Sequence, residues 1–342
     1  MKAVIFERHG GPDVLEYRDV PEPTVAPDGA LVRVRACGLN HLDLFTREGR
    51  LPHAIALPHI SGSEVAGDVE RVGELVTNIT PGERVVIAPY LVCGRCENCL
   101  AGEETTCLRG DVLGRRSDGG YAEYVSVPAR QLIALPEGVS YEAGAAVTLS
   151  TVTAWHMLVS RARLRPGEDV LVLAAGSGVG SAAVQIAKQA GARVIATAST
   201  DEKLRRAEQL GADFVVNYAE QDFRAEVRRI TAKRGVDVVV EHVGESTWEQ
   251  SIGCLARNGR LVTTGATTGP NGAINIDRLF GAQLSILGSF GGTRSELRMV
   301  LKMVAEGRIQ PVIHATYPLD QAAQAQRLME ERGQFGKLLL LP

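Results

Sequence analysis

The stretch "VLVLAAGSGVGSAAVQIAKQAGARVIATAS" (170–199) constrains the fold more than any other part of the chain. It reads as a buried strand, a glycine turn, a helix and a second buried strand. Two parallel neighbouring strands need a crossover, so the unit implies a parallel sheet with helices packed on it. Gly176, Gly178 and Gly180 let the backbone turn sharply and approach a pyrophosphate. The amides of Ser177, Gly178, Val179 and Gly180 then lie at a helix N-terminus, where negative charge is stabilised. The spacing departs from strict GxGxxG, since the first two fingerprint positions hold Ala175 and Ser177. With both flanking strands present, dinucleotide binding is the expected use, and a purely structural turn is the alternative.

The pattern continues downstream. "FVVNY", "VDVVVEHVG", "RLVTTGA" and "LSILGSF" bring the strand candidates to six, separated by helices or connections. Apolar runs of this kind predict a parallel sheet covered on both faces. The first ~125 residues differ: short alternating strands bounded by "PDG" and "PGE" turns, with helical periodicity first evident over about 141–160. The tail from about 294 holds two helical stretches and a last strand, "GKLLLLP". It is too small for a domain of its own and is expected to pack on the first one.

An NAD-specific site carries an acid at the end of the second strand, gripping the ribose 2′-hydroxyl. Here that end reads Ala198, Ser199, Thr200, Asp201, Glu202, Lys203, with Ala198 where the acid is expected. The missing acid favours NADP(H), with Ser199 as hydrogen-bond donor and Lys203 as charge partner of a 2′-phosphate. The alternative is that Ser199 or Thr200 caps a helix and Lys203 is solvated. Asp201 keeps NAD(H) open.

Four of the six cysteines, Cys93, Cys96, Cys99 and Cys107, follow the spacing C-x2-C-x2-C-x7-C. Four thiolates close a tetrahedral site and leave no position for water or substrate. One structural zinc per chain is the expected occupant. An iron–sulfur cluster fits the ligand type alone, and inert or redox thiols are the remaining reading.

Formal net charge is −3 and no basic patch stands out, so nucleic acid is not an expected partner. "MKAVIFERHGG" carries charges where a signal peptide would be apolar, and no run approaches the ~18 apolar residues of a membrane span. A soluble cytoplasmic protein acting on a small molecule is expected, with no membrane partner.

Together, "GPDVLEYRDVPEP", "VRVRACGLNHLDLFTREG", "LPHISGSEVAG", "VGELVTNITPGERVV", the cysteine lobe, "GGYAEYVSVP", "TAWHML", "GSGVGSAAVQIAK" and "FGKLLLLP" resemble the medium-chain dehydrogenase/reductase superfamily over essentially the whole chain. The resemblance implies an α/β fold in which a Rossmann cofactor domain, 150–288, is inserted in a GroES-like β-barrel catalytic domain, 1–149 plus 289–342. It also implies hydride transfer between a nicotinamide and a carbonyl, alcohol or activated alkene, and a homodimer or homotetramer. Zinc alcohol dehydrogenases of the superfamily hold a second, catalytic zinc. The positions matching its ligands read Asn40, Ser63 and Leu149 or Ser150, while the accompanying acid, Glu64, is retained. Cys37, His41, Asp43, His59 and Glu64 have the chemistry to rebuild such a site. Quinone-reductase-like members share the asparagine of "LN", here Asn40, but commonly have a tyrosine where this chain has Phe45.

Asn40, His41 and Asp43 are the expected catalytic or positioning residues; the alternatives are that Asn40 pins the adjoining turn and that His41 supports neighbouring side chains or orders its loop. Arg47 is expected on the surface. Thr153, Tyr218, Val243, Gly265, Ala266, Leu287, Gly288 and Ser289 match family positions around the cofactor. Without a Lewis acid, quinones and enones are the favoured acceptors, because hydride addition gives a delocalised anion. A zinc-dependent alcohol dehydrogenase with a rebuilt site is the alternative, and a nucleotide-binding protein with little turnover is the alternative of another class.

Overall fold

Strands dominate the first part of the chain. β1 (Lys2–Ile5) and β2 (Glu16–Asp19) form an antiparallel ribbon. β3 (Gly29–Gly38) is buried along its length except at Arg33 and Arg35. Then come α1 (His41–Glu48), β4 (Glu64–Val72), β5 (Arg84–Ile87), β6 (Tyr90–Leu91), α2 (Glu97–Leu100), β7 (Asp111–Val112), β8 (Tyr124–Pro128), β9 (Leu132–Ala134), α3 (Tyr141–Ala145) and α4 (Ser150–Trp155). The computed structural model describes residues 1–342.

The middle of the chain alternates strand and helix: β10 (Asp169–Val172), α5 (Gly178–Gln189), β11 (Arg193–Ala198), α6 (Asp201–Gln209), β12 (Phe214–Asn217), α7 (Phe223–Ile230), β13 (Val236–Glu241), α8 (Trp248–Cys254), β14 (Leu255–Thr263), α9 (Ile276–Gly281) and β15 (Ser285–Gly288). These six strands form one sheet in the order β12-β11-β10-β13-β14-β15, with every pair parallel. All four residues of central β10 are buried, as a strand covered on both faces requires.

The tail adds α10 (Arg294–Ala305), β16 (Ile313–Pro318), α11 (Ala322–Glu330) and β17 (Lys337–Leu341). β16 and β17 extend the first sheet, giving the order β16-β17-β3-β4-β5-β9 with β8 also on β3. Val32, Val34, Val65, Val85, Leu338 and Leu340 from these strands share one core with Leu44 of α1 and Met329 of α11. Two compact units result, 1–152 with 292–342, and 153–291. The joins read from sequence, 149/150 and 288/289, differ from these by three residues. No helix is long and apolar enough to cross a membrane.

Three local features depart from the sequence reading. α1 is a helix where short strands were expected; Asn40 N–H donates to the Asp43 carboxylate at 2.7 Å, and Gly49 closes the helix at φ +72°. The helical region at 141–160 is broken into α3 and α4, and the N–H groups of Leu149 and Ser150 go to Glu64. Arg47 is not a surface residue. It is fully buried, donating to Gly10 O at 3.0 Å and to Gln326 Oε1 and Glu330 Oε1, each at 2.5 Å. A guanidinium has donors enough to satisfy all three acceptors at once, which is how the helix face tolerates the charge.

Candidate active site and metal lobe

The lobe holding the four cysteines buries no residue of α2 or of the short turn Glu104–Thr106, so it has no core of its own. Its four sulfurs lie within 4.8 Å of one another, with Cys93–Cys99 at 4.0 Å and Cys96–Cys107 at 3.9 Å. A tetrahedral zinc with bonds of about 2.3 Å needs sulfurs about 3.8 Å apart, so the donor set fits the metal. Backbone N–H groups of Cys99 and Leu108 hold the Cys96 thiol down to about 6, and burial with the neighbouring thiols pushes Cys99 up to about 12. Clustered sulfurs resist ionising together unless a cation joins them. Arg294, opening α10, grips the lobe through Glu104, with Nε at 2.8 Å and backbone N–H at 2.9 Å.

The second cluster lies where β3, β4 and β17 run side by side. Glu64 opens β4 and is fully buried. Its Oε1 accepts from the N–H groups of Leu149 (3.1 Å) and Ser150 (2.8 Å), and its Oε2 lies 2.7 Å from Lys337 Nζ. The register explains why a lysine arrives there. Leu339 stands opposite Gly38 in the antiparallel β17–β3 pair, so two residues earlier Lys337 falls opposite Asn40. Its ammonium donates to Leu39 O and, at 2.9 Å, to Asn40 Oδ1. Asn40, Ser63 and Leu149 are thus gathered around one buried ion pair. Two of their polar atoms, Asn40 Nδ2 and Ser63 Oγ, are shielded from solvent and have no partner.

These residues do not fit a catalytic zinc. An amide, a hydroxyl and a hydrocarbon occupy the ligand positions, and the only gathering of three or more Cys, His, Asp or Glu ligand atoms is the cysteine lobe. Cys37 is fully buried, and a Cβ added at Gly62 or Gly120 would lie within 2.9 Å of its sulfur. Burial, then the charges of Asp43 and Glu64, raises its pKa well above the usual thiol range. His59 is also turned into the structure, with Nε2 3.0 Å from Gly114 O. His41 begins α1 half-buried, its ring 6.2 Å from that of Phe45. Asp43 is buried and accepts from Asn40 N–H (2.7 Å), Tyr121 O–H (3.1 Å) and Gly62 N–H (3.2 Å). Burial raises its pKa to about 6 against those hydrogen bonds.

In the other unit, the turn after β10 runs from Ala174, at φ +43°, through Gly176 and Ser177 into Gly178, Val179 and Gly180 of α5. Ser177 caps the helix, accepting from Gly180 N–H at 2.8 Å. A Cβ on Gly180 would sit 2.3 Å from Ala174 O, so the position demands glycine. The sheet order reverses between β10 and β13, and ligands of open α/β sheets bind outside the strand ends at such a point. His242, just after β13, meets the turn there, Nε2 2.9 Å from Ser177 Oγ. Burial lowers its pKa to about 4, so the ring is neutral at neutral pH. Glu241 shapes the same corner, accepting from Val243 N–H (2.6 Å), Gly244 N–H (3.0 Å), Thr247 Oγ1 (2.9 Å) and Ser251 Oγ (2.8 Å).

Gly265 and Ala266 follow β14, and Gly265 passes close to His242, since an added Cβ would lie 2.8 Å from its carbonyl. Leu287 and Gly288 end edge strand β15, and Ser289 N–H donates to Thr263 O at 2.8 Å. Thr153 is buried in α4. At the tip of β11, Ala198 pairs with Asn217, followed by Ser199 and then Thr200, whose hydroxyl caps α6 by accepting from Lys203 N–H at 3.3 Å. Tyr218, after β12, is exposed. Sequence reasoning missed Lys337, His242 and Glu241. A lysine leading four leucines into a buried strand was the available signal, since such a charge must find a partner.

Residues 26–137 match the alcohol dehydrogenase GroES-like domain family and residues 178–306 the zinc-binding dehydrogenase family. An alcohol dehydrogenase of Geobacillus stearothermophilus is 37% identical, covering 92% of this chain and 91% of its own. A quinone oxidoreductase of Pseudomonas aeruginosa is 34% identical over 100% of this chain and 99% of its own. A solved NAD-dependent alcohol dehydrogenase matches with a TM-score of 0.96 and 47% identity, covering 100% of both chains. With its fold, its glycine turn and its cysteine lobe, the chain belongs to the medium-chain dehydrogenase/reductase superfamily of oxidoreductases.

Proposed function

We propose that the protein reduces quinones or α,β-unsaturated carbonyl compounds with NADPH, without a catalytic metal. One observation carries the reading: the superfamily's zinc-ligand positions hold Asn40, Ser63 and Leu149, and a Glu64–Lys337 ion pair sits among them. Bound NADPH supplies the hydride. The chain's part is to orient the acceptor, exclude water and stabilise charge on its oxygen. Quinones and enones suit such a site because the added electrons are delocalised. The buried Cys37 thiol and the Gly114-bound His59 oppose a rebuilt zinc site and with it the zinc-dependent alcohol dehydrogenase reading.

Preference for NADPH rests on the tip of β11. Ala198 offers no carboxylate to a 2′-hydroxyl, and Ser199, Lys203 and Tyr218 flank the position. Asp201 lies 3.5 Å from Asn217 Nδ2. Because the solved relative is named for NAD, calorimetric titration with both cofactors is decisive for this part. NADPH should bind more tightly, and Lys203→Ala should weaken NADPH about tenfold or more while barely changing NADH. An NADH preference, or equal losses, contradicts it.

The reaction is tested by comparing 1,4-benzoquinone, 2-cyclohexen-1-one, ethanol and benzyl alcohol with both cofactors. Turnover of the first two supports the reading. Alcohol oxidation abolished by gentle chelation and restored by zinc, with quinone and enone inert, overturns it.

A further inference from the structure

We propose that Lys337 is a positioning residue. Its ammonium fixes the side-chain amide of Asn40 so that the NH2 end is left to donate to the acceptor's oxygen as negative charge develops there. This rests on the reading of the protein as a metal-free quinone or enone reductase.

Lys337 is 5% exposed; its Nζ donates to Leu39 O and, at 2.9 Å, to Asn40 Oδ1, and is ion-paired with Glu64 Oε2, 2.7 Å away. An ammonium has donors and no acceptor, so only the amide oxygen can face it. That decides which way the Asn40 amide points, and Nδ2 must turn away from the cation. Each neighbour is itself held. Glu64 Oε1 takes the N–H groups of Leu149 and Ser150, and Asn40 N–H is bound by Asp43 at 2.7 Å. Nδ2 is then a buried donor without a partner, and Ser63 Oγ, also unpartnered, belongs to the residue just before Glu64. A buried polar group left unpaired is costly, so such a group calls for an explanation, and a role in binding is one.

The chemistry follows. Hydride adds to the β-carbon of an enone, the carbon–carbon π pair becomes the enolate, and its charge falls largely on oxygen. The Asn40 N–H donates to that oxygen, polarised from behind by the ammonium on its own carbonyl. A solvent water then gives its proton to the α-carbon and departs as hydroxide, leaving the saturated ketone and oxidised nicotinamide.

A double-mutant cycle tests the coupling. With NADPH and 2-cyclohexen-1-one, Asn40→Ala should lower kcat about 100-fold, as loss of an oxyanion donor does. Lys337→Met should lower it about tenfold or more with little change in KM, and the double variant should be no slower than Asn40→Ala alone. Losses that multiply would overturn the proposal. Because Lys337→Met strands a buried carboxylate, the cycle is repeated in a Glu64→Gln background, with thermal melts confirming folding. A second readout needs no turnover: 4-nitrophenol bound beside NADP+, with its phenolate fraction read by absorbance. Asn40→Ala and Lys337→Met should each shift the bound phenol toward the neutral form, and together no further. An unchanged fraction, or no phenolate binding by the parent protein, would overturn it. Failure of the parent to reduce any enone or quinone would instead strike the functional reading, leaving the phenolate cycle to decide the role of Lys337.

Discussion

Asp43 carries the most perturbed carboxyl at the candidate site, and its sign is testable. Its folded pKa, about 6, stands above the ordinary 3.8 because burial penalises the carboxylate. The stability this group contributes is therefore fully present below pH 3.8 and is lost as pH rises through about 6. Asparagine cannot ionise, so Asp43→Asn should be costlier, relative to the parent, near pH 4.5 than near pH 7.5. The full span from this group is about 3 kcal/mol. Urea unfolding of both proteins at the two pH values measures it, and a larger deficit at the higher pH contradicts the assignment. Individual residues were the least legible scale in the sequence. Asn40 and Glu64 could be singled out by matching motifs, and Ser63 as a lost ligand. Their arrangement depends on Lys337, which reaches them from the far end of the chain through strand register. Arg47 was misread because nothing local announces Gln326 and Glu330, which come from α11.

At the scale of elements, long and strongly patterned pieces could be read and short or half-exposed ones could not. The six parallel strands and the glycine turn follow from apolar runs and punctuation. α1 escaped because it has eight residues, only three of them apolar, although Asn40 and Asp43 three residues apart were a usable start signal. β16 escaped because none of its six residues is buried, so an edge strand looked like a loop. The cysteine lobe was legible in full, since spacing alone brings four ligands together. With no apolar core, it would draw its order from a bound metal. Elemental analysis should find about one zinc per chain, and Cys99→Ala should bring that well below half while exposing the Cys93–Cys107 segment to limited proteolysis. A variant that keeps its zinc and resists cleavage would show that the lobe holds together by other means.

On the scale of the molecule, one unit carries the dinucleotide turn, and the other carries both the cysteine lobe and the Glu64–Lys337 cluster. The four sulfurs of the lobe are gathered, while the positions matching the superfamily's catalytic ligands read Asn40, Ser63 and Leu149. On the proposed reading, turnover needs only the structural metal. The most direct test starts from protein carrying one zinc per chain and follows NADPH-dependent reduction of 2-cyclohexen-1-one while a second equivalent is added. A measurable initial rate that stays flat across the titration is expected. A rate near zero at one zinc per chain that climbs in proportion to the second equivalent would contradict it.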